Sequence, residues 1–355
     1  MRVMTTTATR ADPVMSEIVD KRGIYYTTIL SHAMSSDGRH MICGLKRGKL
    51  ALFDIQSIIK QNADFDTKSL DGQDVEALEP LRRPQHIVDT SSPVYSVATF
   101  PTNKSEFVFG GKGQLQGWFI RDNKLAKDWS ITLSSNTCMV NTIAATDERI
   151  FTGCGDHQIY GFDAESHKQI HRLNEHKDYV NCIQLSADGH MLYSGGEDGA
   201  VLVWDLRCGQ KSVSQIYPHR TGDLSRPTYG KWIGALTLAT NNWLICGGGP
   251  HLAVWHLNTM SYSTKFDAQS TANVVVAHND YYISGGSDSS LHFWELNGEL
   301  KSTIPTSASD VFSISAHHYK DSEFGIKELI TGAGMSYKVD ICANWKYKDF
   351  ELLVY

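Results

Sequence analysis

Seven stretches of this 355-residue chain close in the same way. Each has a small residue, a glycine-rich turn and an alternating apolar run that ends on a bulky side chain, often followed by an acid. They are CGLKRGKLALFD to Phe53-Asp54, GGKGQLQGWF to Trp118, TGCGDHQIYGFD to Phe162-Asp163, SGGEDGAVLVWD to Trp204-Asp205, CGGGPHLAVWH to Trp255, SGGSDSSLHFWE to Trp294-Glu295, and TGAGMSYKVDI to Ile341. The closing positions lie 65, 44, 42, 51, 39 and 47 residues apart. A period of about 40 to 45 residues with a Trp-Asp ending marks the blades of a propeller. Seven blades exhaust the chain once the extra length at the first and fourth steps is set aside.

The expected fold is therefore all-β: a single seven-bladed WD40 β-propeller with four antiparallel strands per blade, closed into a ring that leaves only short edges. Residues 1–22 read as a flexible tail and residues 23–355 as the propeller. A long polar loop is expected at about 56–85, between two strands of the first blade, and residues 209–231 lengthen the way into the fifth. Two closures are open. The DFELLVY segment at 349–355 can supply the outer strand of blade seven, or the N-terminal segment can.

Within SGGEDGAVLVWDLR, Ser194 and Asp198 lie downstream of His176, which invites a hydrolase reading. A nucleophile needs an exposed oxygen, a base and an oxyanion hole facing a pocket. In a blade, His176 in the entry turn, Ser194 on the second strand, Asp198 in the tight turn and Trp204 on the third strand instead form a buried hydrogen-bond tetrad. Blade six repeats part of this with Ser284, Asp288 and Trp294, and blade three with Thr152, Asp156 and Phe162, which is how a turn motif decays across copies.

No catalytic, cofactor or metal site is predicted. Strands, not helices, follow the glycine-rich GGKGQLQG and CGGGP turns, so neither is a phosphate loop. In HKQIHRLNEH, His167 and His171 fit an outer solvent-facing strand, and no carboxylate or cysteine stands at a ligand-like spacing. The chain is 41% apolar with a net charge of -6, which gives no general attraction to RNA or to a membrane surface. Seven cysteines scattered singly, never as CxxC, point to a reducing compartment. No apolar run is long enough to span a bilayer and the N-terminus lacks a secretory pattern, so the expected location is intracellular. The SRPTYGKW loop, with Arg226, Tyr229, Lys231 and Trp232, carries residue types enriched at interfaces and is the candidate partner surface.

The run from YSGGEDGAVLVWDLR through SRPTYGKWIGALTLATNNWLICGGGPHLAVWHL, with GELK at 298–301 and YKVDI at 337–341, resembles the WD-repeat subunit 6 family of the THO complex. That resemblance implies a non-enzymatic scaffold of the THO/TREX mRNA export assembly in the nucleus, docked on the coiled-coil subunits 5 and 7, with RNA contact indirect or weak. No basic import run stands out, so entry with a partner is expected. The alternative is a substrate receptor of a cullin-RING ubiquitin ligase, because Trp204, Asp205 and Arg207 also resemble the adaptor-binding box of such receptors.

Overall fold

The computed structural model describes residues 27–66, 82–133, 138–228, 230–239, 242–319 and 326–355. The tail at 1–22 lies outside them, as does Tyr229. The described residues form seven four-stranded antiparallel sheets, each built from one contiguous stretch of chain. Blade 4 is representative: Val180–Leu185 innermost, then Met191–Gly196, Val201–Asp205 and Ser212–Ile216 outermost.

Side chains on a strand alternate between its two faces, and here each face looks onto a neighbouring blade. Val201 and Val203 join the apolar cluster shared with blade 5, whereas Leu202 and Trp204 join the cluster shared with blade 3. The whole core divides in this way into seven clusters, one at each seam between adjacent blades. Burying both faces of every sheet is why the third strands read as near-continuous apolar runs.

Polar staples near the inner strands cross every seam. Val97 N donates to Ser31 Oγ at 3.0 Å, Ser96 Oγ to Val140 O at 2.9 Å, Asn141 Nδ2 to Val180 O at 3.1 Å, and Asn181 Nδ2 to Ile233 O at 3.3 Å. Ala277 N donates to Thr237 Oγ1 at 3.3 Å, Asn273 Nδ2 to Val311 O at 3.2 Å, and His32 N to Ser313 Oγ at 3.0 Å. Asn141, Asn181 and Asn273 sit where the inner-strand register slips by one residue. A bulge of this kind re-aims a side chain, and here it turns each amide toward the next blade.

The ring closes without strand exchange. Phe350–Leu353 pairs with Lys338–Cys342 as the outer strand of blade 7, so that blade owes nothing to the N-terminus among the described residues. Side chains hold this seam instead. His32 Nε2 meets Thr331 Oγ1 at 2.7 Å, Ser313 Oγ donates back to His32 O at 3.3 Å, and Tyr319 OH donates to Gly38 O at 2.8 Å.

The expected polar loop after the third strand of blade 1 opens instead as a helix, α1 (Ile55–Asp66). Asp54 caps it, with Oδ1 accepting from Ser57 N at 3.1 Å. Ile55, Ile58 and Ile59 recur at helical spacing and pack into the cluster at the seam between blades 7 and 1. Residues 67–81 lie outside the described residues; beyond them Arg82 stands over the Phe350 ring at 5.5 Å and Arg83 over Tyr355 at 5.2 Å. The insertion thus meets the closing seam at both of its ends.

Candidate interaction face

One end of the propeller carries the loops that enter each blade and the turns joining second to third strands. In blade 4 the entry loop brings His176 beneath the turn at Asp198. Trp204 Nε1 donates to Ser194 Oγ at 2.9 Å, Ser194 meets His176 Nε2 at 2.7 Å, and His176 Nδ1 meets Asp198 Oδ2 at 3.0 Å. One consistent set of donors satisfies them all: indole to hydroxyl, hydroxyl to imidazole, imidazole to carboxylate. Asp198 also accepts from Lys177 N at 2.9 Å and Ala200 N at 3.0 Å. Burial alone would raise this carboxyl; the bonds from His176 and the two backbone amides bring it down to about 2. Ser194 is wholly buried, and its oxygen is already held by Trp204, so it offers no nucleophile to solvent.

The partial copies differ in instructive ways. In blade 6 Trp294 Nε1 donates to Ser284 Oγ at 2.8 Å, but Asp288 takes His292, four residues on, at 2.5 Å. In blade 3 Tyr160 OH donates to Asp156 Oδ2 at 2.7 Å. His171 lies on the outer strand Gln169–Leu173 and His167 just before it, its ring tilted against Trp129 at 4.2 Å.

The loop entering blade 5 contains the candidate partner residues, and the structure separates them. Arg226 turns inward: its guanidinium donates to Gly249 O and Trp232 O and lies 5.5 Å from the Trp232 ring. The arginine expected to face a partner is therefore a clamp that satisfies two carbonyls. Trp232 covers the backbone of Gly234 and Gly248, where a Cβ would come within 2.4 and 2.7 Å of its ring. Lys231 remains exposed. With Lys177, His219 and Arg220 it lines a cavity of about 310 Å³ beside Asp198. Arg207 sits on the opposite end of the blade, 60% exposed. Its Nε and Nη2 each reach an Asp205 carboxylate oxygen at 2.9 Å, and that arginine holds the Asp205 carboxyl well below the usual range.

Sequence reasoning passed over the three bulge asparagines. Their signal is a recurrent four-residue run at the start of inner strands: VNTI at 140–143, VNCI at 180–183 and ANVV at 272–275. They line the mouth of a central channel of about 290 Å³ with Tyr95 and Phe312.

This ring of contiguous four-stranded blades has known counterparts. The family model for the WD domain, G-beta repeat, matches residues 167–205, which span the blade-4 tetrad. The THO complex subunit 6 homolog of Rattus norvegicus is 29% identical over 339 residues, covering 92% of this chain and 93% of the relative. The Mus musculus homolog and the Homo sapiens THO complex subunit 6 are each 28% identical over 337 residues, with the same coverage. The chain is a WD-repeat β-propeller similar to THO complex subunit 6. Among solved structures, the WD40 β-propeller domain of Doa1 matches with a TM-score of 0.65 at 14% identity, covering 89% of this chain and 93% of that one. That likeness concerns the fold alone. The WD40 propeller is a scaffold type rather than an enzyme family, and the subunit 6 relatives share it. No helix among the described residues is long and apolar enough to cross a membrane.

Proposed function

We propose that this chain is the propeller scaffold subunit of a THO complex, supporting assembly of the larger TREX machinery and coupling transcription and processing to nuclear mRNA export. The observation that carries this reading is the end-to-end match: 92% of this chain aligns with 93% of a protein named for its place in that complex. Most of the described residues of this chain are propeller, so a role shared along that match resides on propeller surface. A rigid ring bearing loops on both ends suits helical partners, and the coiled-coil subunits 5 and 7 are the partners the resemblance implies. With a net charge of -6, the propeller leaves RNA affinity mainly to other subunits. Its location is nuclear, reached together with those partners.

The test is mass spectrometry of what copurifies with the tagged chain from nuclear extract, with and without ribonuclease. THO subunits in stoichiometric, ribonuclease-resistant amount are expected, and Arg207→Ala should recover them equally well. Recovery of a cullin and its propeller adaptor, lost in Arg207→Ala, would replace this reading with that of a ubiquitin-ligase receptor. Depleting the coiled-coil partners should exclude the chain from nuclei; unchanged import would remove the carried-entry part of the proposal.

A further inference from the structure

The blade-3 copy of the tetrad has been rewritten with thiols. Thr152 and Asp156 stand where blade 4 has Ser194 and Asp198, but the residue corresponding to Gly196 is Cys154. Blades 2, 5, 6 and 7 carry Gly111, Gly248, Gly286 and Gly334 at that place. In blade 4 a Cβ on Gly196 would lie 3.1 Å from His176 Nδ1 and 3.2 Å from Asp198 Oδ1. The Cys154 side chain therefore projects into the space that blade 4 fills with its histidine and aspartate. There it meets Cys138, from the loop entering blade 3, and Asp156, from the turn after the second strand.

The Sγ atoms of Cys138 and Cys154 and a carboxylate oxygen of Asp156 all lie within 4.8 Å of one another. Both cysteines are buried and Asp156 is half-buried, which leaves an approach from solvent on the carboxylate side. The carboxylate is fixed from behind by Tyr160 OH at 2.7 Å and Gln158 N at 3.3 Å. Zinc holds thiolate sulfur at about 2.3 Å in tetrahedral geometry, which sets two sulfurs roughly 3.7 Å apart. The trio, held within 4.8 Å, lies within about an ångström of that span. A hydrogen-bonded carboxylate is also the outer-shell arrangement that metal sites use. The fifteen residues between the cysteines, and their place on different elements, hide the cluster from any spacing rule applied to the sequence.

We propose that Cys138, Cys154 and Asp156 form a three-ligand site for a zinc-class divalent cation. The ion would tie the entry loop of blade 3 to its turn, the task that His176 and Asp198 perform in blade 4. Binding displaces the two thiol protons to solvent.

The experiment uses the full chain, stripped by chelator under a phosphine reductant and titrated with cobalt(II), then zinc. A thiolate-to-cobalt charge-transfer band saturating at one equivalent and bleached by zinc is expected, together with a higher melting temperature in zinc. Cys154→Gly restores the glycine that blades 2, 4, 5, 6 and 7 carry and should fold, yet give no band. Cys208→Ser, at the exposed cysteine, should leave the band intact, and Tyr160→Phe should weaken binding about 10- to 100-fold. A folded, reduced chain that gives no band, or a band that survives Cys154→Gly or vanishes in Cys208→Ser, would overturn the site. A Cys138–Cys154 disulfide with no cobalt binding after its reduction would overturn it equally.

Discussion

Ser194 is the residue on which blade 4 turns, because its single hydroxyl serves the Trp204 indole and the His176 imidazole at once. Ser194→Ala leaves the Trp204 indole N–H and His176 Nε2 buried with nothing to bond, and unsatisfied buried groups cost about 1–3 kcal/mol each. The expected outcome is a loss of about 2–4 kcal/mol in urea unfolding, with partner recovery unchanged well below the melting point. If stability holds, a water has taken the place of the hydroxyl and the chain of bonds is not cooperative. These four residues were legible in the sequence because their types and offsets are rigidly linked to one turn. The bulge asparagines were equally periodic but went unread, since a pattern centred on Trp-Asp endings looks at the wrong strand of each blade. Arg226 was legible as a residue but not in its direction: composition says that an arginine, a tyrosine and a tryptophan share a loop, not which of them faces inward.

At the scale of elements, that loop now divides into a clamp and a presenting edge. Arg226→Ala should cost about 1.5–3 kcal/mol, the worth of hydrogen bonds to a charged donor, and so cannot report on partner binding. Lys231→Glu is the informative change, because Lys231 is exposed and sits on the rim of the cavity beside Asp198. A folded Lys231→Glu protein that recovers fewer THO subunits places the partner at blades 4 and 5; full recovery removes the loop from consideration. The helix α1 shows the opposite failure of reading. The segment at 56–85 is polar on average, and averaging concealed Ile58 and Ile59, at helical spacing from Ile55 directly behind a capping aspartate. A window one-third as long would have caught them.

For the whole molecule, the number of blades followed from the period, whereas the manner of closure did not, because either end of the chain could in principle have supplied the last strand. Contacts between blades 7 and 1 bridge 281 residues of sequence, as between His32 and Ser313. The seam is held by side chains, by the apolar cluster that includes α1, and by the two arginines on Phe350 and Tyr355. Ile58→Asp places a charge in that cluster at a cost of several kcal/mol. Hydrogen exchange should then show blades 1 and 7 losing protection first while blades 3 to 5 keep theirs. Uniform loss would mean that the ring opens only by unfolding entirely.

Because every blade is cut from one unbroken stretch of chain, a ribosome delivers them in finished order and the circle stays open until the last of them emerges. Until blade 7 brings Leu329, Val339, Ile341 and Leu352, the apolar wall of blade 1 formed by Ile29, Met41 and Phe53 has no counterpart. A nascent chain in that state is a horseshoe with two sticky ends, open to chaperones and to self-association. Messages cut short before blade 7 would therefore yield not a smaller propeller but an unclosed one, and quality control rather than lost binding would decide their fate.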